Sequence, residues 1–244
     1  MHLIFLPRKI IIRVFYGLLL FTITCFILAT GFYQRTQGPL GKLTVVIDPG
    51  HGGVDGGTAD HTGTLEKEIN LAIALALRDQ LKQSGLNVIM TRETDTELSP
   101  FISGKIGRHR RDLLARVQKA RQSKSHILLS IHCDWSEAHH KQGSVVFYNY
   151  LSAPSKELAF IIQEELNKVQ KKPQKAAPGK YFIIRQKGLT GVLIEVGFLS
   201  NIEDAALLKS PDYQGTLALA ISKGVLKYCQ QFIPSPGSHL ERRQ

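Results

Sequence analysis

This 244-residue chain has little cysteine: Cys25, Cys133 and Cys229 are the only three. An odd count, with Cys25 inside an apolar run, supplies no disulfide framework. Packing must therefore hold the fold together, and Cys133 and Cys229 read as small buried hydrophobes. Acidic side chains are also short, 20 against 31 Lys and Arg, leaving a formal charge of +11. Such an excess suits an anionic environment: nucleic acid, anionic lipid or an acidic wall polymer. The basic residues are spread along the chain without a nucleic-acid motif, so nucleic acid is not expected as a partner. There is no internal repeat and no extended low-complexity segment, and the length suits one substantial α/β domain. Phosphate-binding signatures are missing as well. The glycine-rich stretch TVVIDPGHGGVDGG, residues 44–57, has no Gly-Lys-Ser/Thr after it, and Asp55 stands where a dinucleotide fingerprint needs its third glycine.

The N-terminus is rich in what the rest lacks. Arg8, Lys9 and Arg13 precede an uncharged apolar run over 14–33, about the length that spans a ~30 Å hydrocarbon core. Positive charge before such a run keeps that end in the cytoplasm and exports the chain beyond it. Ala29-Thr30-Gly31 offers a small-residue cleavage site, although the run is long for a signal peptide. Residues 1–35 thus read as a membrane anchor or a signal peptide, with the uncleaved anchor preferred, and the remainder is expected to be extracytoplasmic. Cys25 lacks the residues that precede a lipoprotein cysteine.

Six strand candidates come next, at 43–48, 86–91, 126–132, 144–150, 181–186 and 191–197, each a short apolar run bounded by turn residues. Helical patterns alternate with them. Ile69, Ile73, Leu77 and Leu81 recur at four-residue intervals over 66–84 before Gly85. Further helices are expected over 108–123, over 155–171, after a capping box at Ser200–Glu203, and from Pro211 to Phe232. The alternation predicts an α/β fold: one domain over 36–232, with a mostly parallel sheet of about six strands and helices on both faces. Residues 93–107 form a long irregular loop, and 233–244 read as a disordered tail.

Ligand chemistry in open α/β sheets gathers at the C-terminal ends of strands, and two histidines stand there. His51 follows the first strand and His132 ends the run HILLSIHCD. A lone histidine at a strand end is usually structural; two of them point towards a metal. A catalytic zinc takes three protein ligands and leaves a fourth position open, so a third donor is needed. Glu66 and Glu68 stand at the start of a helix, where an acid is also explained by the helix dipole alone. Cys133 is a poor donor, because adjacent strand residues point to opposite faces. Glu195 is the most anomalous acid, set in the apolar run GVLIEVGF. A carboxylate there needs a partner: a salt bridge, for instance to Arg185, or a metal site at which it serves as general base or acid.

Together, VIDPGHGG, EKEINLAIALAL, LLSIHCD and VLIEVGFLSN resemble the four motifs of the zinc-dependent N-acetylmuramoyl-L-alanine amidases of the amidase-3 type, in the same order and spacing. The resemblance spans about residues 43–230. It implies one Zn2+ held by His51, Glu66 and His132, with Glu195 as the catalytic glutamate and peptidoglycan as the substrate. Arg185 is a candidate for binding a stem-peptide carboxylate. Size, N-terminal segment and lack of a wall-binding module resemble the germination-specific cortex branch of the family. The resemblance leaves open whether an activating partner is needed. Departures from the family pattern fall at Asp134, at Ala120-Arg121, at Thr190-Gly191 and in the longer loop at 93–107. None is a proposed ligand, so they bear on substrate preference.

Overall fold

The computed structural model describes residues 7–36, 40, 43–99 and 107–233. Six strands form one sheet: β1 (Thr44–Pro49), β2 (Asn87–Met90), β3 (Ile127–Asp134), β4 (Val145–Tyr148), β5 (Ala177–Pro178) and β6 (Gly191–Phe198). Their order is β2-β1-β3-β6-β4-β5. All neighbours are parallel except β4 and β6, which run antiparallel. The helices are α1 (Arg8–Thr36), α2 (Glu66–Gln83), α3 (Arg108–Gln122), α4 (Ala153–Leu166), α5 (Ile202–Leu208) and α6 (Pro211–Phe232).

The two faces of the sheet are covered differently. Val45 and Ile47 of β1, Leu129 and Ile131 of β3, and Val192 and Ile194 of β6 pack with α2, α4 and α6 in the main core. Ile69, Ile73, Leu77 and Leu81 of α2 are all at most 3% exposed. Burying each is worth about 1.5–3 kcal/mol before entropy is counted, which is why the four-residue spacing decides the helix. The helix ends where Gly85 turns the chain with φ 86°, a left-handed conformation that costs glycine little. On the other face Val46, Leu128 and Leu193 meet Val117 and Ala120 of α3 together with Ile183, Ile184 and Leu189.

That last contact corrects one expectation. Residues 181–186 are not a strand; they form a turn. Ile183 and Ile184 are buried because the segment lies across the sheet as cover beside α3. The strand beyond β4 is instead the two-residue β5, an edge position that tolerates Pro178 without its N–H. Two helix starts also move. Asn201, not Ser200, caps α5 by accepting from the N–H groups of Glu203 and Asp204, and Ser152 caps α4. Cys133 and Cys229 are buried and free, as expected.

The tail from 234 onward and loop residues 100–106 lie outside the described residues. The N-terminal run is one helix, α1, whose described side chains extend to Phe26. Among the described residues no helix is long and apolar enough to cross a membrane.

Candidate metal centre

Three sequence-predicted residues meet at the C-terminal edge of the sheet. His51 follows β1, His132 is near the end of β3, and Glu66 opens α2. One potential ligand atom from each lies within 4.8 Å of the others. His51 Nε2 is 3.2 Å from Glu66 Oε2, and His132 Nδ1 is 3.1 Å from Glu66 Oε1. The imidazoles stand edge to face, centroids 5.1 Å apart. Glu68 points away and is exposed, which separates the two acids that the sequence left open. Burial works to raise the Glu66 carboxyl, but hydrogen bonds and positive charge from His132 and His51 outweigh it and hold the acid well below its ordinary range. Two imidazoles and one carboxylate form a donor set that suits zinc.

The surroundings aim these donors. Glu66 Oε1 accepts from Asn70 Nδ2 and the Cys133 N–H, both at 3.1 Å, and Oε2 accepts from the Thr58 N–H at 3.0 Å. Asp55 Oδ1 lies 3.0 Å from His51 Nδ1. Outer contacts of this kind fix ligand orientation and raise ligand basicity.

The glycines act mainly by leaving room. A Cβ at Gly50 would come within 2.5 Å of three atoms of the His132 ring, and one at Gly57 would press on Glu66 and His51. His51 itself takes the left-handed conformation, φ 59°, uncommon for a residue with a side chain. Gly50→Ala is therefore expected to displace the His132 ring and abolish stoichiometric metal binding, which metal analysis of the purified protein measures directly. Retention of a full equivalent of metal would contradict this packing.

Two buried arginines that sequence reasoning missed hold the His51 turn. Arg92 Nε donates to Pro49 O at 3.1 Å, and its Nη2 donates to Gly50 O at 2.8 Å. Arg116 Nη1 donates to Pro49 O, and Nη2 to His51 O, each at 2.7 Å. Three successive carbonyls thus point at guanidinium groups, and the turn presents His51 outward. Arg116 also donates to Asp48 Oδ1 at 2.8 Å and Asp112 Oδ2 at 2.6 Å, while Asp48 accepts from Thr91 and Ser130. Burial raises the Asp48 carboxyl, yet Arg116 and Thr91 bring it below its usual value. For Arg92, burial and then the charge of Arg116 pull the guanidinium down to about 10. The available signal was the spacing of Asp112 and Arg116, four apart on one helix, which by itself reads as a surface pair.

Glu195 stands in β6 in register with His132 of β3, so both side chains leave the same face of the sheet. It is 6% exposed. Burial, then the charges of Asp134 and Glu66, push its carboxyl well above the ordinary carboxylate range. Its Oε2 has no hydrogen-bond partner among the described residues. The salt bridge to Arg185 is not formed. Arg185 is exposed and lines a separate groove with Asn149, Ser152 and Thr190, so it does not join the metal centre. Asp134, one of the departures, is raised by burial, partly offset by the Trp135 N–H.

An open α/β sheet that gathers two histidines and a glutamate at its C-terminal edge, with a buried carboxyl in register, has the build of a single-metal hydrolase. The chain belongs to the N-acetylmuramoyl-L-alanine amidases, whose family model matches residues 45–227. It is 39% identical over 195 residues to the germination-specific N-acetylmuramoyl-L-alanine amidase of Bacillus subtilis, covering 78% of this chain and 81% of that relative. The CwlD amidase from Clostridioides difficile, solved in complex with the GerS lipoprotein, superposes with a TM-score of 0.74 at 36% identity, covering 78% of this chain and 99% of that one. The catalytic domain of CwlV from Bacillus (Paenibacillus) polymyxa var. colistinus gives 0.67 at 31%, covering 77% and 98%.

Proposed function

We propose that this chain is a zinc amidase of spore-cortex peptidoglycan, cutting the bond between the lactyl group of N-acetylmuramic acid and L-alanine. The observation that carries the reading is Glu195: a buried carboxyl with an unpartnered oxygen, in register with His132. His51, Glu66 and His132 would hold the ion. When bound, zinc supplies Lewis acidity, which makes water acidic near neutral pH and polarises the scissile carbonyl. Glu195 takes the proton of the attacking water and returns it to the departing α-amine of L-alanine. The amide C–N bond breaks, a carboxylate remains on muramic acid, and one carboxyl serves as base and then as acid.

The cortex assignment is supported by the germination-specific relative and by the CwlD likeness. Helix α1 bears on localisation. Phe15, Tyr16, Leu18, Leu20 and Phe21 are each more than 60% exposed, and at about 100° per residue they face every side of the helix. A helix apolar all round needs an apolar surrounding, so α1 is read as the membrane attachment of an extracytoplasmic enzyme. A lipoprotein partner is a further expectation, since the CwlD structure is a complex with GerS.

Mass spectrometry of digested cortex tests the function. Treated glycan should gain muramic acid without its peptide, and the released peptides should begin with L-alanine. A zinc carboxypeptidase would shorten the stem peptide at its other end. In the organism, a deletion strain is expected to make cortex without muramic-δ-lactam, which forms only after the stem peptide has left muramic acid. Normal δ-lactam, with no second amidase to account for it, would defeat the cortex role and leave the chemistry standing.

A further inference from the structure

We propose that the groove beside the metal centre, floored by Trp135, is a saccharide subsite that seats an N-acetylated pyranose of the glycan strand. The inference rests on the amidase reading and deepens it. The groove is lined by Trp135, His139, Leu199, Asn201, Ile202 and the 59–61 loop. Each lining segment continues one that carries a site residue. Residues 59–61 lead into Glu66, Trp135 follows His132, and Leu199 follows Glu195. Groove and metal centre thus stand on the same rim of the sheet, at the ends of β3 and β6.

Its walls are fixed. The Leu199 N–H donates to Asp134 O at 2.9 Å, and the Ser136 N–H to Ser200 Oγ at 3.0 Å. Asn201 Nδ2 donates to His139 O at 2.7 Å. Across from them, Asp60 is held by Lys209 Nζ at 2.6 Å and by the Thr62 and Thr64 N–H groups. Within this rigid frame Trp135 is 45% exposed and Ile202 is 69% exposed. Preformed concave sites that combine aromatic surface with a few placed polar groups are the usual form of ligand pockets.

Charge selects between the two parts of the substrate. The lining carries two carboxylates, Asp60 and Glu203, and no lysine or arginine. Both are paired with lysines outside the lining, Asp60 with Lys209 and Glu203 with Lys171, so a stem peptide, itself rich in carboxylates, finds no complementary charge there to favour it. An N-acetylated sugar is neutral. The ring C–H groups of a pyranose match the electron-rich face of an indole, and Ile202 offers apolar surface to the acetyl methyl. The pocket over the metal centre is a different one: it is bounded by His51, Asp55 and the exposed His109 at the start of α3, and shares no lining residue with the Trp135 groove.

Trp135 is the only tryptophan in the chain, so its fluorescence reports the groove directly. Titration of the zinc-loaded full chain with a tetrasaccharide of N-acetylglucosamine is expected to give a saturable change, and titration with released stem peptide none. Trp135→Ala is expected to raise KM on peptide-bearing glycan chains about tenfold more than on a single muramoyl peptide, which does not reach the groove; that ratio corresponds to about 1.4 kcal/mol. An unchanged thermal midpoint accompanies it, because the side chain is half exposed. A fluorescence response to stem peptide but not to tetrasaccharide, or equal KM changes on both substrates, would overturn the subsite. If the parent chain cuts neither substrate yet Trp135 still responds to the tetrasaccharide, the amidase reading falls and the saccharide site stands. If hydrolysis is normal and the tetrasaccharide leaves Trp135 unmoved, the subsite falls alone.

Discussion

Glu195→Gln is expected to keep its metal and to lose turnover by about 10²–10⁴-fold, the scale of one general acid–base group. The substitution preserves shape and removes the proton acceptor. Its burial argues that the loss will not come from unfolding. In the parent the carboxyl is pushed well above its ordinary range by burial and by two neighbouring acids, so a neutral amide relieves a cost instead of adding one. Stability should therefore hold or rise, while KM changes little if substrate is bound by other groups. Metal content, thermal midpoint and kcat together decide the point. A variant with near-normal kcat would remove Glu195 from the reaction and return it to a structural role. One that lost metal would place it in the coordination shell.

Arg116→Met should be the most destabilising substitution near the site, by about 3–5 kcal/mol, the usual result of removing one partner of a buried ion pair. Arg116 is 2% exposed, and Asp48 beside it 1%. Removing the guanidinium strands Asp48 and Asp112 and leaves the Pro49 and His51 carbonyls without that donor. Arg116→Lys keeps the charge but cannot make the forked contacts, so it should fall between the two. Chemical denaturation measures the stability, and zinc competition with a chelator measures the second consequence. His51 loses its backbone support, so zinc should bind more weakly even in molecules that remain folded. A variant as stable as the parent, with undiminished zinc affinity, would mean that the turn holds itself.

Arg116 also marks where sequence reading stops. Periodicity was enough for α2, because Ile69 to Leu81 state which side faces the sheet. Alternating strands and helices were enough for a parallel sheet, because the crossover topology follows from them. His51, His132 and Glu195 stood out as polar residues at or within apolar strands. The arginines did not, because a basic residue on a polar helix looks solvated until the turn it serves is in place. Residues 181–186 misled for a related reason. An apolar run declares burial, and burial is shared by strands and by segments that merely cover a sheet. Only the edge pairing of β4 with Ala177 and Pro178 settles which one the chain adopts. Capping box spacing likewise named Ser200, while Asn201 proved one residue better placed for both amide groups of α5.

The donors of the metal centre come from the end of one strand, the start of a helix and the end of another strand. They are adjacent only in the folded chain, so an ion gripping all three ties segments that unfolding would scatter. By mass action, an ion that binds only the folded form adds stability as RT ln(1 + [M]/Kd), about 4.1 kcal/mol when it is present at a thousand times its dissociation constant. With three free cysteines and no disulfide, the ion would be a removable cross-link in this fold. The lifetime of the protein would then depend on the metal supply of the compartment it occupies, separately from any part the ion takes in catalysis.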